Sequence, residues 1–447
     1  MAELLRLHNP WFLRPRFFWI MGGLALILIL GHWFSGLFTA GQVGLAFLGI
    51  VLLGDGWHLS RNGRLYGDRR LPALLSLGDE NQATLSILYK GNGHLRARVH
   101  EELPALLQRR NVVFVFPLHT GITQIETYTV RPLERGDYHF GRTLVYLRSR
   151  VGLVERRVSL ENSQTVKAYP SIRQMRRYAL MLQPQTATLN GVKKVRRPGQ
   201  RNEFEQIKQY VQGDQYRSIN WKATGRRNEL MVNQYQDERS QAVYSVIDCS
   251  RPMQRPFDGL RLMDYAVNTS LVMANIALNK YDKAGLMTYR NKMDDFVAAQ
   301  RQSQQLRRLL ERLYRVEASE DEADYESLYL NIIRRIPQRS LLLWYTDLPS
   351  SPIRLEEMMN CWRRIARRHL LVVYCFQDTE LLALERQPAD TIHQAFEKVV
   401  AGRMIRKKRD QTQRLKHFGL STVLTTPQDL SLNTVNQYLA LKARGRI

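Results

Sequence analysis

Between Phe17 and Gly54 the chain carries no Asp, Glu, Lys or Arg, an uncharged run of 38 residues that constrains the fold more than any other feature. One helix of that length would extend about 57 Å at ~1.5 Å per residue, against about 30 Å for the hydrocarbon core of a bilayer. Two short passes fit better, with a turn in His32-Trp33-Phe34-Ser35-Gly36 and Trp11, Trp19 and Trp57 at the opposite interface. The run is too long for a secretory leader and lacks a small-residue cleavage site. Arg6, Arg14 and Arg16 precede it, while Arg61, Arg64, Arg69 and Arg70 follow, and the connecting turn is uncharged. The positive-inside rule then predicts an α-helical membrane hairpin with both ends in the cytoplasm.

The full length of 447 residues suggests two to four domains at roughly 100–200 residues each. An apolar fraction of 44% is enough for packed cores and excludes a disordered or collagen-like chain. Cys249, Cys361 and Cys375 form no C-x-x-C pair, which excludes a disulfide framework or zinc finger and fits a reducing compartment. After the hairpin (residues 1–60), residues 61–175 read as β-structure. Alternating or apolar runs at Ala83–Tyr89, Val112–Phe116, Ile125–Val130 and Thr143–Leu147, separated by turn residues, predict a β-sandwich. Residues 176–240 are a basic linker, with a loop at Lys193–Gly199 and a segment Gly213–Arg227 that mixes Arg and Lys with Tyr216 and Trp221.

From about residue 241 to 447, short apolar strands alternate with amphipathic helices. Strands are expected at Val243–Ile247, Ala284–Tyr289, Ser340–Tyr345 and Leu370–Phe376, with helices around Leu262–Ile276, Gln304–Tyr314 and Glu356–Arg367. Such alternation predicts a parallel sheet covered on both faces, with ligands bound beyond the carboxyl ends of the strands. Asp248, Asp347 and Asp378 fall at those ends.

Asp248-Cys249-Ser250-Arg251-Pro252-Met253 after one strand, and Tyr345-Thr346-Asp347 ending another, resemble a Rossmann-like von Willebrand factor type A domain. The resemblance implies a divalent-cation site at Asp248, Ser250 and Asp347, whose hard oxygen donors suit Mg²⁺. Pro252 stands where the family has a second serine, so one hydroxyl ligand is lost. Two readings remain: an ion site, or residues that only cap strands.

A wider pattern joins Arg131–Tyr138, Ser149–Leu153, the Gly213–Arg226 segment and the approach to Asp248 through Glu238. Together they resemble the bacterial domain of unknown function 58 family, which has a membrane hairpin, a β-domain and a type A domain in this order. Asp378-Thr379-Glu380 resembles its acidic pair. The resemblance implies a non-catalytic adaptor in the bacterial inner membrane, multi-pass with its soluble domains in the cytoplasm. Its implied partner is a MoxR-type AAA+ ATPase, with which it acts in chaperone-like assembly or maturation of protein complexes.

Interaction or interdomain roles fall to Asp214, Arg217, Asn220, Trp221, Lys222 and Arg226. In one reading Trp221 and Ile219 pack into the type A domain while Arg217 pairs with Asp214 or a neighbouring acid, strapping two domains together. In the other these residues form an exposed docking surface. The mixed aromatic and charged composition favours the strap.

The charge and the strand-end aspartates raise two other functions. The net charge of +25 and the cluster at Arg403 and Arg406–Arg409 suit any polyanion, including the anionic inner leaflet at about 1 kcal/mol per nearby basic residue. No nucleic-acid-binding motif accompanies them, so no specific nucleic acid is expected. A divalent-metal-dependent hydrolase using Asp248, Asp347 and Asp378 would need a general base, and His369 precedes its strand rather than following it. The chain also lacks G-x-x-x-x-G-K-[ST], H-E-x-x-H and G-x-S-x-G motifs, so any ATP hydrolysis falls to the partner.

Overall fold

The computed structural model describes residues 11–446 except 63, 109–111, 182–201, 213, 215 and 238–239. It is a multidomain α/β protein that divides into two compact units, Met1–Tyr169 and Pro170–Ile447.

In the first unit the uncharged run forms two helices, Pro15–Leu30 and Ser35–Asn62. The chain turns at Gly31, where a Cβ would lie 2.6 Å from the Phe38 backbone nitrogen, so the close approach of the two helices requires glycine. A Cβ at Gly41 or Gly44 would strike the Leu28 or Leu24 side chain, respectively. These small residues let the helix backbones close together, as in membrane helix pairs. Among the described residues, only Gly36–Asn62 is long and apolar enough to cross a membrane. The 16 residues of Pro15–Leu30 reach about 24 Å. The two expected spans are therefore present as one candidate span and a shorter apolar helix.

The candidate span ends inside the folded unit. Asp55 is buried and its Oδ2 accepts hydrogen bonds from the Leu153 and Val154 amides, both at 3.1 Å. Arg156 Nη1 donates to the Leu59 and Ser60 carbonyls at 2.9 and 3.0 Å, placing a cation on the last turns of the helix, where the dipole favours it. Trp11–Leu13 pairs antiparallel with Val154–Leu160, which ties the chain before the first helix to the same strand.

The β-runs expected from the sequence are present with slightly longer bounds. One antiparallel sheet has five strands in the order Trp11–Leu13, Val154–Leu160, Thr143–Arg148, Leu95–Glu101 and Val112–Leu118. A second joins Leu65–Arg70, Asn81–Tyr89 and Thr123–Val130, and a third joins Leu74–Ser76, Gln164–Tyr169 and Gly136–Phe140. Alternation along Asn81–Tyr89 sends Ala83, Leu85, Ile87 and Tyr89 into one core with Val99, Val145, Leu147, Tyr138 and Phe140. Within that core the wholly buried Arg69 and Glu101 form an ion pair linking strands of different sheets. Arg69 also donates to Thr143 Oγ1 at 3.1 Å and to the Gly141 carbonyl at 3.0 Å, and Thr143 donates to the other Glu101 oxygen at 2.7 Å.

The second unit is built on a six-stranded mixed sheet. Its order is Met293–Gln300, Lys283–Tyr289, Ala242–Asp248, Leu341–Thr346, Leu370–Phe376 and Ser421–Thr425, with only the first strand antiparallel. Neighbouring residues on each strand serve opposite faces. Val243, Ile247, Leu343 and Tyr345 pack with helices Leu262–Asn279, Gln305–Arg315 and Leu430–Ala443. Tyr244, Val246, Leu342 and Trp344 pack with Tyr325–Arg335 and Pro352–Ala366. Burial on both faces explains the nearly continuous apolar runs that mark these strands in the sequence. All three cysteines are buried thiols outside any disulfide, and burial pushes the Cys361 thiol up to about 12.

Removing one member of a buried, hydrogen-bonded ion pair leaves the other charge without compensation. Glu101→Ala is expected to lower the opening free energy of strand Thr143–Arg148 by about 3–5 kcal/mol, as read by native-state hydrogen exchange of the full chain in detergent. The Arg69→Met/Glu101→Leu pair should recover most of that loss.

Candidate functional site at the carboxyl end of the mixed sheet

Ala242–Asp248 and Leu341–Thr346 are the central neighbours at which the sheet's sequence order reverses, the position where open α/β sheets bind ligands. Both strands stop at polar residues. Asp248 ends the first and is 1% exposed. Its Oδ1 accepts hydrogen bonds from the Ser250 amide at 2.9 Å and hydroxyl at 2.5 Å, and its Oδ2 accepts one from the Thr346 hydroxyl at 2.6 Å. Burial pushes the Asp248 carboxyl above the ordinary carboxylate range, while the Ser250 and Thr346 hydrogen bonds oppose that shift. Tyr325 is pushed up as well, first by burial and then by the charge of Asp248.

Asp347, one residue beyond its strand, is also buried. Lys408 pairs with its Oδ1, Arg255 approaches its Oδ2 at 3.4 Å, and the Leu348 amide donates to Oδ1 at 3.0 Å. Arg255 reaches on to Asp378 at 3.3 Å. Asp378 in turn caps the helix Thr379–Arg386 by accepting from the Glu380 and Leu381 amides. Asp248, Ser250 and Asp347 are thus brought together at one sheet end with Asp378. Thr346, which stands beside Asp347 in the motif, completes the cluster with Arg255 and Lys408, whose pairing with Asp347 over such sequence separations leaves no local pattern.

Two carboxylates with neighbouring hydroxyls have the chemistry of a hard-cation site. As arranged, however, both Asp248 oxygens are engaged by hydrogen-bond donors and both Asp347 oxygens by protein cations. No three His, Cys, Asp or Glu side chains form a metal-binding group among the described residues. These residues fit internal counter-ions rather than a divalent ion, which would have to displace Arg255 and Lys408.

Around the cluster lies an open cleft of about 1050 Å³, bounded by Ser250, Arg255, Asp347, Asp378 and the helix segment containing Met404 and Lys408. That helix, Ile392–His417, starts at a capping box made by Thr391 and Gln394 and carries the basic cluster read from the sequence.

The segment singled out before the sheet behaves differently from the expected strap. Asp214 pairs with Lys208 at 2.9 Å and accepts the Val211 amide, and these contacts hold its carboxyl below the usual range. Arg217 lies exposed in the turn Tyr216–Ser218 and does not pair with Asp214. Asn220 caps the helix Trp221–Arg227 by accepting from the Ala223 amide, and its own amide donates to Asn233 at 2.8 Å. Trp221 is 70% exposed, beside exposed Lys222 and Arg226. The predicted packing of Trp221 is absent because the short helix offers its polar cap, and not this ring, to the adjoining strand. Gly213, Glu238 and the loop Lys193–Gly199 lie outside the described residues.

Residues 206–387 match the family model described as Protein of unknown function DUF58. The uncharacterized protein YeaD of Bacillus subtilis (strain 168) is 23% identical over 122 residues, which are 27% of this chain and 30% of YeaD. The chain thus aligns with under a third of that relative's length. Among solved structures, the CARDB domain of the PF1109 protein from Pyrococcus furiosus is 11% identical, with a TM-score of 0.17 over 24% of this chain and 87% of its own. The ASH/PapD-like domain of human CEP192 is 12% identical, with a TM-score of 0.16 over 24% of this chain and 83% of its own. Likenesses this weak carry no argument about fold or function.

The sign of the Asp248 shift gives a test. A carboxyl whose folded pKa is raised contributes its full stability below the unfolded value and loses it as pH rises through the folded value. Asp248→Asn does not titrate, so its melting temperature should gain on the wild type as pH is raised from about 4 to 7. Asp248→Ala strands the Ser250 and Thr346 hydroxyls and should cost about 1–3 kcal/mol at every pH, measured by thermal melts.

Proposed function

From the match of residues 206–387 to the DUF58 family model, we propose that this chain is a membrane-anchored, non-catalytic adaptor for a cytoplasmic AAA+ ATPase of the MoxR type. In this reading the N-terminal helices form a two-pass hairpin in the bacterial inner membrane, the strands of the first unit make a β-sandwich, and the mixed sheet is a type A domain. The sheet order, with its reversal between the strands ending in Asp248 and Thr346, supports the last assignment. The arginines flanking the helices support a cytoplasmic body.

One observation carries the adaptor reading. Arg217, Trp221, Lys222 and Arg226 lie in the family-matched segment and turn their side chains to solvent. An exposed Trp flanked by Arg is the composition of a protein-binding hot spot, because the ring buries a large area on contact and the guanidinium makes directional bonds. Asn220 holds the helix beneath that face through its cap and its bond to Asn233. The face is therefore built before any partner arrives, which lowers the entropy lost on docking.

Affinity purification of the full-length protein from gently solubilised native membranes, with and without ATP, tests the proposal by mass spectrometry. A AAA+ ATPase should co-purify, and Trp221→Ala/Arg226→Glu should reduce its recovery by about tenfold or more, equivalent to about 1.4 kcal/mol. Absence of any AAA+ ATPase from both preparations would overturn the adaptor reading. Undiminished recovery with the double variant would remove this face from it.

A further inference from the structure

We propose that the helix Ile392–His417 and the adjoining cleft form a second docking groove, whose occupant is an acidic, amphipathic helical segment of a partner protein. On this helix Ile392, Phe396, Val400 and Met404 recur at four-residue spacing, with Val399 beside them, and so share one face. All are exposed, Ile392 at 92% and Phe396 at 69%. The stripe runs about 18 Å along the helix axis. Solvated apolar side chains in such a row mark a contact surface, whereas scattered ones would not.

Charge identifies the occupant. The helix carries eight Lys and Arg against two acids. Met404 ends the stripe and also lines the cleft, where Lys407, Lys408 and Arg409 follow it on the same helix and Arg251 faces in from the turn after Asp248. Arg255 and Lys408 are held by Asp347 and Asp378, and Lys407 donates to the Ser350 carbonyl. The side chains of Arg251 and Arg409 have no ion-pair partner among the described residues. An entering carboxylate therefore meets two uncommitted guanidinium groups at the end of an apolar track. An amphipathic helix with apolar residues at i and i+4 would cover the stripe, and its Asp or Glu residues would reach the cleft. A flat anionic bilayer could meet the stripe, but it could not enter the concave site to engage Arg251. This groove is separate from the Trp221 face, so it stands or falls independently of the adaptor reading.

Photocrosslinking in cells tests it, with p-benzoylphenylalanine in place of Phe396 in the full-length protein and the adduct mapped by mass spectrometry. The expected product is a protein adduct on an acidic segment with apolar residues at helical spacing, reduced at least tenfold by Arg251→Glu/Arg409→Glu. Both arginines are exposed, so this variant should keep its melting temperature, and that measurement separates lost docking from lost folding. A phospholipid adduct would show the stripe to be a bilayer-facing surface and overturn the proposal. So would the absence of an adduct, attachment to a segment without acidic residues, or a yield indifferent to charge reversal.

Discussion

The buried carboxylate of Asp248 is the constraint around which the carboxyl end of the mixed sheet is organised. A charge with 1% exposure is unfavourable unless donors surround it, and here the donors come from both central strands. Ser250 bends the chain back after the first strand, while Thr346 reaches across from the neighbouring strand 98 residues later. These bonds fix where the two strands stop and where the next segments leave. Asp347 is set in place by Thr346, its immediate neighbour, and the cleft opens beyond it. The site's geometry follows from satisfying one desolvated group.

The second carboxylate, Asp347, is satisfied in another way. Its partners are cations from distant parts of the chain, Arg255 before the helix Leu262–Asn279 and Lys408 in the middle of Ile392–His417. The protein thus supplies its own positive charge where a metal centre would supply an ion. Arg255 gives each of Asp347 and Asp378 a long contact, at 3.4 and 3.3 Å, and the Lys408 pair is the tighter one. Lys408 therefore ties the basic helix to the sheet end and sets the angle at which that helix crosses the cleft. Its neighbours Lys407 and Arg409 diverge from it around the helix, which leaves Arg409 available to a ligand.

What the sequence revealed follows from where each element is buried. Val243–Ile247, Leu341–Tyr345 and Leu370–Phe376 are covered on both faces, so their apolar runs are unbroken and their strands were legible. Met293–Gln300 is the antiparallel edge, with Asp294 and Asp295 turned to Arg290 and Arg312, and its composition hides it. Ile392–His417 has charges around most of its circumference, which reads as a basic run and conceals a helix with an apolar stripe. The aspartates at strand ends were visible because strands stop where a carboxylate must find donors. Arg255 and Lys408 were not, since tertiary pairing is written in no local spacing. Trp221 misled for a related reason: aromatic residues are usually buried, and only contact geometry separates a packed ring from a presented one.

The N-terminal unit shows how an apolar helix can be joined rigidly to a β-core. A helix that merely ended at a sheet would leave its last carbonyls without partners and be free to swing. Here Arg156 occupies the Leu59 and Ser60 carbonyls, and Asp55, one turn earlier, holds the amides of Leu153 and Val154. Both sets of bonds converge on the strand Val154–Leu160, which also pairs with Trp11–Leu13 just ahead of the first helix. Entry and exit of the helical pair are therefore fastened to the same strand, and reorienting the helices requires breaking a buried carboxylate's bonds. That cost makes the helical pair and its sheets one mechanical body. In an adaptor, such a body would hold the β-unit at a fixed attitude to the membrane rather than on a swivel.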